Sequence, residues 1–570
     1  MPSKSDLSKK APAPSPAQPG SRDANGPQSV AILWATALMA IAGLASTVSQ
    51  LSLSPVYGSI PSAIWHQKTL MFIALIVLIN KSVFQRILPA TIHIWIPVLA
   101  SWILPIQSVL FQYSSVLGPV YGPVVTEVLT FYPFLFLSLY SAGSALEVLD
   151  LSLFSPGFAQ GIPPLACYTT FTIVEKFVGG NMPAFMGSND FFTRSGLQLL
   201  IAALSAAVAP SKFLLLTLPA VLHTVRFNPH FPGAATTAVL NETLQANQYT
   251  LLERQESLTG YVSVIESHEN QFRLLRCDHS LLGGEWLVTP QRAQQGGQTQ
   301  PESIYTVFTM LEAVRLVITG SVNEQRKDSE KSALNIGLGI GTAPSALLKH
   351  GINTTIVELD PAVHRMATKY FALPTNHTAV LRDAVGYVSE TAVSSPASFD
   401  YIIHDVFTGG AEPTALFTLD FMQGLKSLLR PDGVVAINYA GDLRLNSTRL
   451  VLNTIHSVFP SCRIFRDQAK EEKEDGDGMD FINMILFCRP IKNTPIRFRQ
   501  ATDADYLGSI VRKRTLYPAS DLEVKFTPDE GAELLTDDTV DVLEKGHKES
   551  AVSHWEIMRQ VLPGRIWELW

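Results

Sequence analysis

The two parts of the chain carry different hydrophobic patterns. Before Thr236 the apolar residues come in long runs with few charges, and after it they come in strand-length and helix-length pieces separated by polar turns. VAILWATALMAIAGLASTV, from Val30 to Val48, has no charge across about the length that a bilayer core requires. Further runs lie near Thr69 to Ile79, Leu88 to Leu104, Val120 to Tyr140, Ile162 to Val178 and Leu197 to Val225. The last is broken at Pro210, into two helices or a re-entrant pair. A soluble bundle would show a polar face on each helix. The pattern therefore predicts a multi-pass helical membrane domain over 28–235, with six or seven spans and the lipid bilayer as partner.

From Ser332 the pattern alternates between strand and helix. SALNIG ends in a glycine turn and is followed by the helix-like TAPSALLKH; TTIVEL, AVLRDAV and FDYIIHDVF supply three further strands. GVVAINYA makes a fifth, and CRIFRD with INMILFCRP a closing antiparallel pair. This order predicts a doubly wound, Rossmann-like α/β domain over 331–517, preceded by a small β-domain and linker over 236–330. The acidic KEEKEDGDGMD is a solvated loop. The C-terminal 518–570 ends in HWEIMRQVLPGRIWELW, an amphipathic helix expected to dock on its own domain, with the membrane face or a second subunit of a homodimer as the other surfaces.

The tail, 1–27, is rich in Pro, Ser and Ala and is expected to be disordered. It lacks the early apolar core of a signal peptide, so the first span reads as an uncleaved anchor. Lys4, Lys9 and Lys10 put this tail on the cytoplasmic side. With an even number of spans the α/β domain is cytoplasmic too.

The strand ends carry the chemistry. Gly337, Gly339 and Gly341 form a turn at which a Cβ would hold the backbone away from a nucleotide. Glu358, at the end of the second strand, is placed to accept both hydroxyls of a ribose. Asp383 ends the third strand, where an adenine edge would lie, and Asp405 ends the fourth, where a reacting group would lie. A dinucleotide fold competes with this reading, but its GxGxxG spacing is replaced by GxGxG; a ligand-free glycine turn leaves three further acids unexplained.

Other features change the picture less. A net charge of -7 argues against a nucleic-acid partner. Cys167, Cys277, Cys462 and Cys488 have no metal spacing and read as reduced core residues, although Cys462 and Cys488 fall on the two closing strands. The 13 histidines form no ligand cluster, and no metal is implied; His404 points to the face opposite Asp405. Glu127 lies within an apolar run, either at a helix end or facing a partner. Sequons at Asn241, Asn353, Asn376 and Asn446 read as chance matches if the domain is cytoplasmic.

From about Leu251 to Glu544 the chain resembles the spermidine synthases and their membrane-fused relatives. GYVSVIESHENQFRLLRCDHSLLGGEW is similar to that family's N-terminal β-domain, PESIYTVFTMLEAV to the segment leading into the first nucleotide-binding strand, and DVFTGGAEPTALFTLDFMQGLKSLLRPDGVVAINY to its catalytic loop, helix and fifth strand. The resemblance implies aminopropyl transfer from decarboxylated S-adenosylmethionine to a small amine acceptor, with Asp405 accepting the amine proton. It also implies substrate contacts from Tyr305 and Asp278, with Glu412 supplying a carboxylate from a shifted loop. The sequence departs from the family at Ile340, where an aspartate holds the donor's ammonium, at Thr408 in place of a second loop acid, and at Leu282 in place of a glutamine. The departures spare the adenosine positions and fall on the amine positions. The alternatives are a methyltransferase using S-adenosylmethionine on the same scaffold, and a non-catalytic nucleotide-binding or transport-linked module.

Overall fold

The computed structural model describes residues 25–320, 326–406, 410–469, 482–529 and 531–570. Its first part is a helical bundle. α1 (Asn25–Tyr57) is followed by α2 (Ser59–Ala63), α3 (His66–Ile79), α4 (Lys81–Ile87) and α5 (Ile96–Leu110). α6 (Ser114–Leu129) and α7 (Phe131–Ala145) divide the run expected as one span; α8 (Pro156–Asn181), α9 (Arg194–Val208) and α10 (Leu218–Arg226) complete the bundle. Pro210 falls between α9 and α10, so the last run is two helices. Among the described residues three helical stretches are long and apolar enough to cross a membrane, Pro27–Tyr57, Ser59–Val77 and Ile92–Leu129.

A polar network lies inside this bundle. Glu127, 1% exposed in the last turn of α6, accepts hydrogen bonds from Ser49 (2.7 Å), Gln50 (3.1 Å) and Tyr132 (2.6 Å) and pairs with His66 Nδ1 (2.9 Å). Ser46 bonds the other His66 nitrogen at 2.8 Å and donates to Glu175 at 2.6 Å. Both sequence readings of Glu127 hold, since it is at a helix end and faces partners that tie α1, α3, α7 and α8 together. A buried acid needs such partners, because an unpaired one costs several kcal/mol.

α11 (Ala234–Ala246) leads into an antiparallel meander of β1 (Tyr249–Ser257), β2 (Gly260–Ser267), β3 (Phe272–Cys277), β4 (Ser280–Trp286) and the short β5 (Glu302–Ser303), with α12 (Pro290–Gly296) between the last two. α13 (Thr306–Leu311) and β6 (Val317–Ile318) connect it to the α/β domain. There the strands and helices are β7 (Ser332–Ile336), α14 (Thr342–Lys349), β8 (Asn353–Glu358), α15 (Pro361–Tyr370), β9 (Thr378–Leu381), α16 (Ala384–Ser394), β10 (Phe399–His404), α17 (Leu419–Leu428), β11 (Leu429–Gly441), α18 (Asn446–Val458), β12 (Ser461–Arg466) and β13 (Ile482–Arg489). After β14 (Arg497–Phe498), which pairs with β6, come α19 (Ile510–Thr515), β15 (Glu523–Val524), α20 (Val540–Val561) and α21 (Gly564–Glu568).

The main sheet has the order β15-β12-β13-β11-β10-β7-β8-β9. Its five central and edge strands from β9 to β11 run parallel, and β13 and β12 close it antiparallel, as the pattern predicts. The strand order reverses beside β7, so a ligand crevice opens at the carboxyl ends of β7 and β10. Cys462 sits opposite Cys488 in the β12–β13 register, and the two form a disulfide with Cα atoms 4.1 Å apart. This corrects the expectation of reduced cysteines: cross-strand pairing brings the two Cα atoms close to the distance a disulfide spans.

The C-terminal helix docks within the chain, burying Leu543, Ala551, Trp555 and Met558. Past it, Trp567 and Trp570 are fully buried. Arg276 holds this end in place by donating to the carbonyls of Ile566 (3.1 Å) and of Pro55 in α1 (2.7 Å). Trp570 stacks on His230 with ring centroids 4.6 Å apart.

Candidate functional site

The glycine turn is built by three left-handed residues, with φ of +80° at Gly337, +55° at Gly339 and +82° at Gly341. A Cβ on Gly337 would lie 1.9 Å from the Asp405 carbonyl oxygen, and one on Gly339 would lie 2.3 Å from that of Leu282. The glycines are therefore required first by the chain itself: the turn is pressed between the exit of β10 and the start of β4. Gly337 N donates to Val357 O and Asp405 N to Ile336 O, both at 2.9 Å, which holds the three strand ends level.

Glu358 is buried at the end of β8 and accepts from Asp360 N at 2.8 Å. Burial pushes its pKa up to about 7, against the pull of backbone N–H groups. Hydroxyl donors would relieve that carboxylate, so the residue fits a ribose. Asp383 is exposed, follows β9 by two residues and caps α16 through Gly386 N at 2.9 Å.

Asp405 retains partial exposure at the end of β10. Burial lifts its pKa to about 6, and Asn438 Nδ2, donating from β11 at 2.8 Å, pulls the other way. His404 points to the opposite face, packed edge-on against Phe417 at 4.8 Å, and burial lowers its pKa to about 4. Thr408, with 407 and 409, lies outside the described residues.

Glu412 is buried beyond this loop, accepting from Tyr439 at 2.9 Å with His547 Nε2 at 3.7 Å, and burial raises its pKa. It is thus engaged between β11 and α20. α20 also contacts Gly410: Ser550 Oγ donates to Gly410 O at 2.5 Å, and a Cβ on Gly410 would meet His554 at 2.5 Å.

Two expected substrate contacts are elsewhere. Asp278 has φ +45° and accepts from Tyr261 N at 2.8 Å and from Arg194 of α9 at 2.9 Å. It joins the β-domain to the helical bundle, because the buried guanidinium of Arg194 requires acidic partners, of which Glu256 is the other. Tyr305 precedes α13 and packs on Phe308 within the core of the α/β domain, and burial raises its phenol to about 12. Asn438, Tyr439, His547 and Ser550 were not singled out by sequence reasoning. The first two end a strand that was recognised, and the rule that ligands gather at strand ends points to them. A cavity of about 970 Å³ lined by Gln271, Trp286, Arg292 and Arg514 lies at the rim of the β-domain and contains none of these residues.

Residues 313–466 match the family model of the spermine/spermidine synthase domain. The chain is 28% identical over 215 residues to a polyamine aminopropyltransferase of Vibrio vulnificus, covering 37% of this chain and 66% of that one. It is 28% identical over 169 residues to the human eEF1A lysine and N-terminal methyltransferase, covering 27% of this chain and 22% of that one. Against the N-terminal histidine N-methyltransferase of Emericella nidulans the identity is 44% over 545 residues, 94% of this chain and 96% of that one. The chain belongs to that protein's family. It is a transferase with a spermidine-synthase-like, methyltransferase-type Rossmann domain, and S-adenosylmethionine is its donor.

This overturns aminopropyl transfer and the decarboxylated donor, because the full-length likeness is to a methyltransferase. The departure at Ile340 has a physical reason. Ile340 is buried against Val262, Leu275 and Phe371, filling the joint between the glycine turn and the β-domain. An aspartate there attracts the lone ammonium of a decarboxylated donor. The intact donor also carries a carboxylate, which an aspartate repels.

Proposed function

We propose that the protein is an S-adenosylmethionine-dependent N-methyltransferase acting on the α-amino group of a polypeptide that begins with histidine. The observation that carries N-methylation of an amino-terminal histidine is the 44% identity over 94% of the chain to an N-terminal histidine N-methyltransferase; the choice of the α-amino nitrogen over the ring nitrogens is our own and rests on the proton-transfer argument below. Gly337, Gly339, Gly341, Glu358 and Asp383 are the residues that hold the adenosyl donor. The bound donor supplies an electrophilic methyl group on a sulfonium, so the protein has to orient an amine and free it of its proton.

Asp405 is suited to that task. An α-amino group has a pKa of about 7.7–8.0, against about 10.4 for an alkylamine such as lysine. A carboxyl near 6 is therefore close enough to accept its proton at neutral pH. Asn438, hydrogen-bonded at 2.8 Å, fixes the orientation of Asp405. A peptide amino terminus carries one cation where a polyamine carries two or more, which accounts for the absence of a second loop acid at Thr408.

The test is incubation of the detergent-purified chain with S-adenosylmethionine and peptides beginning with His, beginning with Ala, or N-acetylated, followed by mass spectrometry. The reading predicts S-adenosylhomocysteine and a methylated α-amine on the His peptide alone. Methylation confined to internal side chains, or equal methylation of the Ala peptide, would refute it.

A further inference from the structure

We propose that Asp360 is a positioning residue for the methyl donor: it locks the ribose acid Glu358 to the β1–β2 hairpin and, through that hairpin, to the helical bundle. This rests on the reading above that Glu358 holds the donor. It concerns the donor alone and stands whichever substrate nitrogen receives the methyl group.

Asp360 lies two residues past Glu358 and is fully buried. An acid at that depth needs a donor for each lone pair or a cation beside it. It has four donors. Oδ1 accepts from Ser257 Oγ at 2.6 Å and Ala362 N at 2.8 Å, and Oδ2 accepts from Thr259 Oγ1 at 2.6 Å and Thr259 N at 3.2 Å. Ala362 alone is local, the ordinary contact of an acid that caps a helix, here α15. The other three come from the β-domain: Ser257 ends β1, and Thr259 stands in the two-residue turn to β2. Capping α15 does not call for them.

The backbone of the same residue reaches the donor site, because Asp360 N donates to Glu358 Oε1 at 2.8 Å. The carboxylate of Asp360 therefore takes its place from the hairpin, and its N–H gives a place to Glu358. A fully buried carboxylate has no water to replace a donor that moves away, so it follows its donors. Two vicinal ribose hydroxyls reach one carboxylate only in a narrow range of orientations, so a small shift of Glu358 weakens both hydrogen bonds.

The far side of the hairpin rests on the bundle. Glu256, next to Ser257, pairs with Arg194, the first residue of α9. Arg194 also donates to Asp278 at 2.9 Å, and Asp278 accepts from Tyr261 N at 2.8 Å, so one guanidinium holds both strands of the hairpin. The same side chain donates to Leu51 O of α1 at 2.6 Å. Gly187, with φ +75° in the connection before α9, lies so close that a Cβ there would stand 1.8 Å from Glu256 O. The path from α1 and α9 to the ribose acid thus runs through Arg194, Glu256, Thr259 and Asp360, each link a directional contact between side chains or backbone groups.

The test is calorimetry of S-adenosylmethionine binding to the full chain purified in detergent, with the thermal midpoint measured alongside. Thr259→Val deletes one donor to Asp360 and keeps the shape of the side chain; the donor Kd is expected to rise by about tenfold, and Thr259→Ser to restore it. Arg194→Lys keeps the charge but loses the fork, and is expected to raise the Kd in the same direction. On a Glu358→Gln background the Thr259→Val increment should shrink to about twofold or less, because two residues that act through one group are not additive. A lowered thermal midpoint with an unchanged Kd in Thr259→Val makes the contact purely structural and overturns the proposal, as does the full increment on top of Glu358→Gln. An unchanged Kd in Arg194→Lys overturns the part given to the bundle. Glu358→Gln binding the donor as the parent does refutes the ribose reading itself, and the proposal with it.

Discussion

Replacing Asp405 by Asn separates a catalytic role from a structural one, because the two make opposite predictions for stability. Asp405 has its pKa raised from 3.8 to about 6 by burial. At about 1.4 kcal/mol per unit, ionising it in the folded protein costs about 2–3 kcal/mol, allowing for the solvent that reaches a partly exposed group. The sign follows from proton binding: the native state binds the proton more tightly than the unfolded state. The penalty is absent below the unfolded value, grows as pH rises from about 4 to 6, and is constant above. The amide has no such penalty and keeps the shape, and its oxygen accepts from Asn438 as the carboxylate does.

Asp405→Asn is therefore expected to unfold at a higher temperature than the parent at pH 8, with the two converging as pH falls toward 4. Its kcat/KM is expected to fall by about 10²–10⁴-fold, the usual contribution of a positioned base. The rise of kcat/KM through pH 6 should vanish. Donor affinity, measured by calorimetry, should stay close to the parent value. The assays are differential scanning fluorimetry in detergent and initial rates on a His-initiated peptide across pH 5–9. A variant that is less stable at pH 8, or that keeps the rise near pH 6, refutes the assignment of Asp405 as the base.

Three further substitutions follow from geometry. Gly337→Ala adds about 1–2 kcal/mol of left-handed strain and puts a methyl 1.9 Å from the Asp405 carbonyl oxygen, so calorimetry should show donor binding lost while circular dichroism retains the helical content. Glu358→Gln removes the charge from a hydrogen bond of the kind worth about 1.5–3 kcal/mol, and the donor Kd should rise by about 10–100-fold with the peptide KM little changed. Trp570→Ala deletes a fully buried ring stacked on His230 and should cost about 3–5 kcal/mol, read as a lowered thermal midpoint that Trp570→Phe largely restores.

The parts legible in the sequence are those set by local periodicity. Strand-end acids such as Glu358 and Asp405 could be found because each strand announces its own end. The Gly337–Gly341 turn was legible as a turn, although its closest constraint is a backbone, that of Asp405, which is distant in sequence. What depends on pairing across the chain was not legible. Asp278 was expected at a substrate and instead meets Arg194, 84 residues away. Cys462 and Cys488 stand on either side of an acidic insert, and only strand register brings them together. Aminopropyl transfer is overturned by the likeness to a methyltransferase across 94% of the chain, and Ile340, which reads in the sequence as a missing aspartate, is a packing residue against the β-domain.

The same long-range pairing explains why family likeness runs through the helical bundle as well as the transferase domain. α20 donates from Ser550 to Gly410, and the same helix donates from Trp555 to the last turn of α1. Arg276 and Arg194 add two further ties, each a buried guanidinium whose partners lie across the joint between the bundle and the β-domain. Cutting the chain before α11 would remove Arg194 and leave its partners Glu256 and Asp278 without a cation, and would take the Pro55 carbonyl from Arg276 and the Val56 carbonyl from Trp555 of α20. The bundle is thus tied structurally to the candidate site, and a substitution in the last turn of α1 that loosens Trp555 should reach the Asp405 strand end through α20 and Gly410.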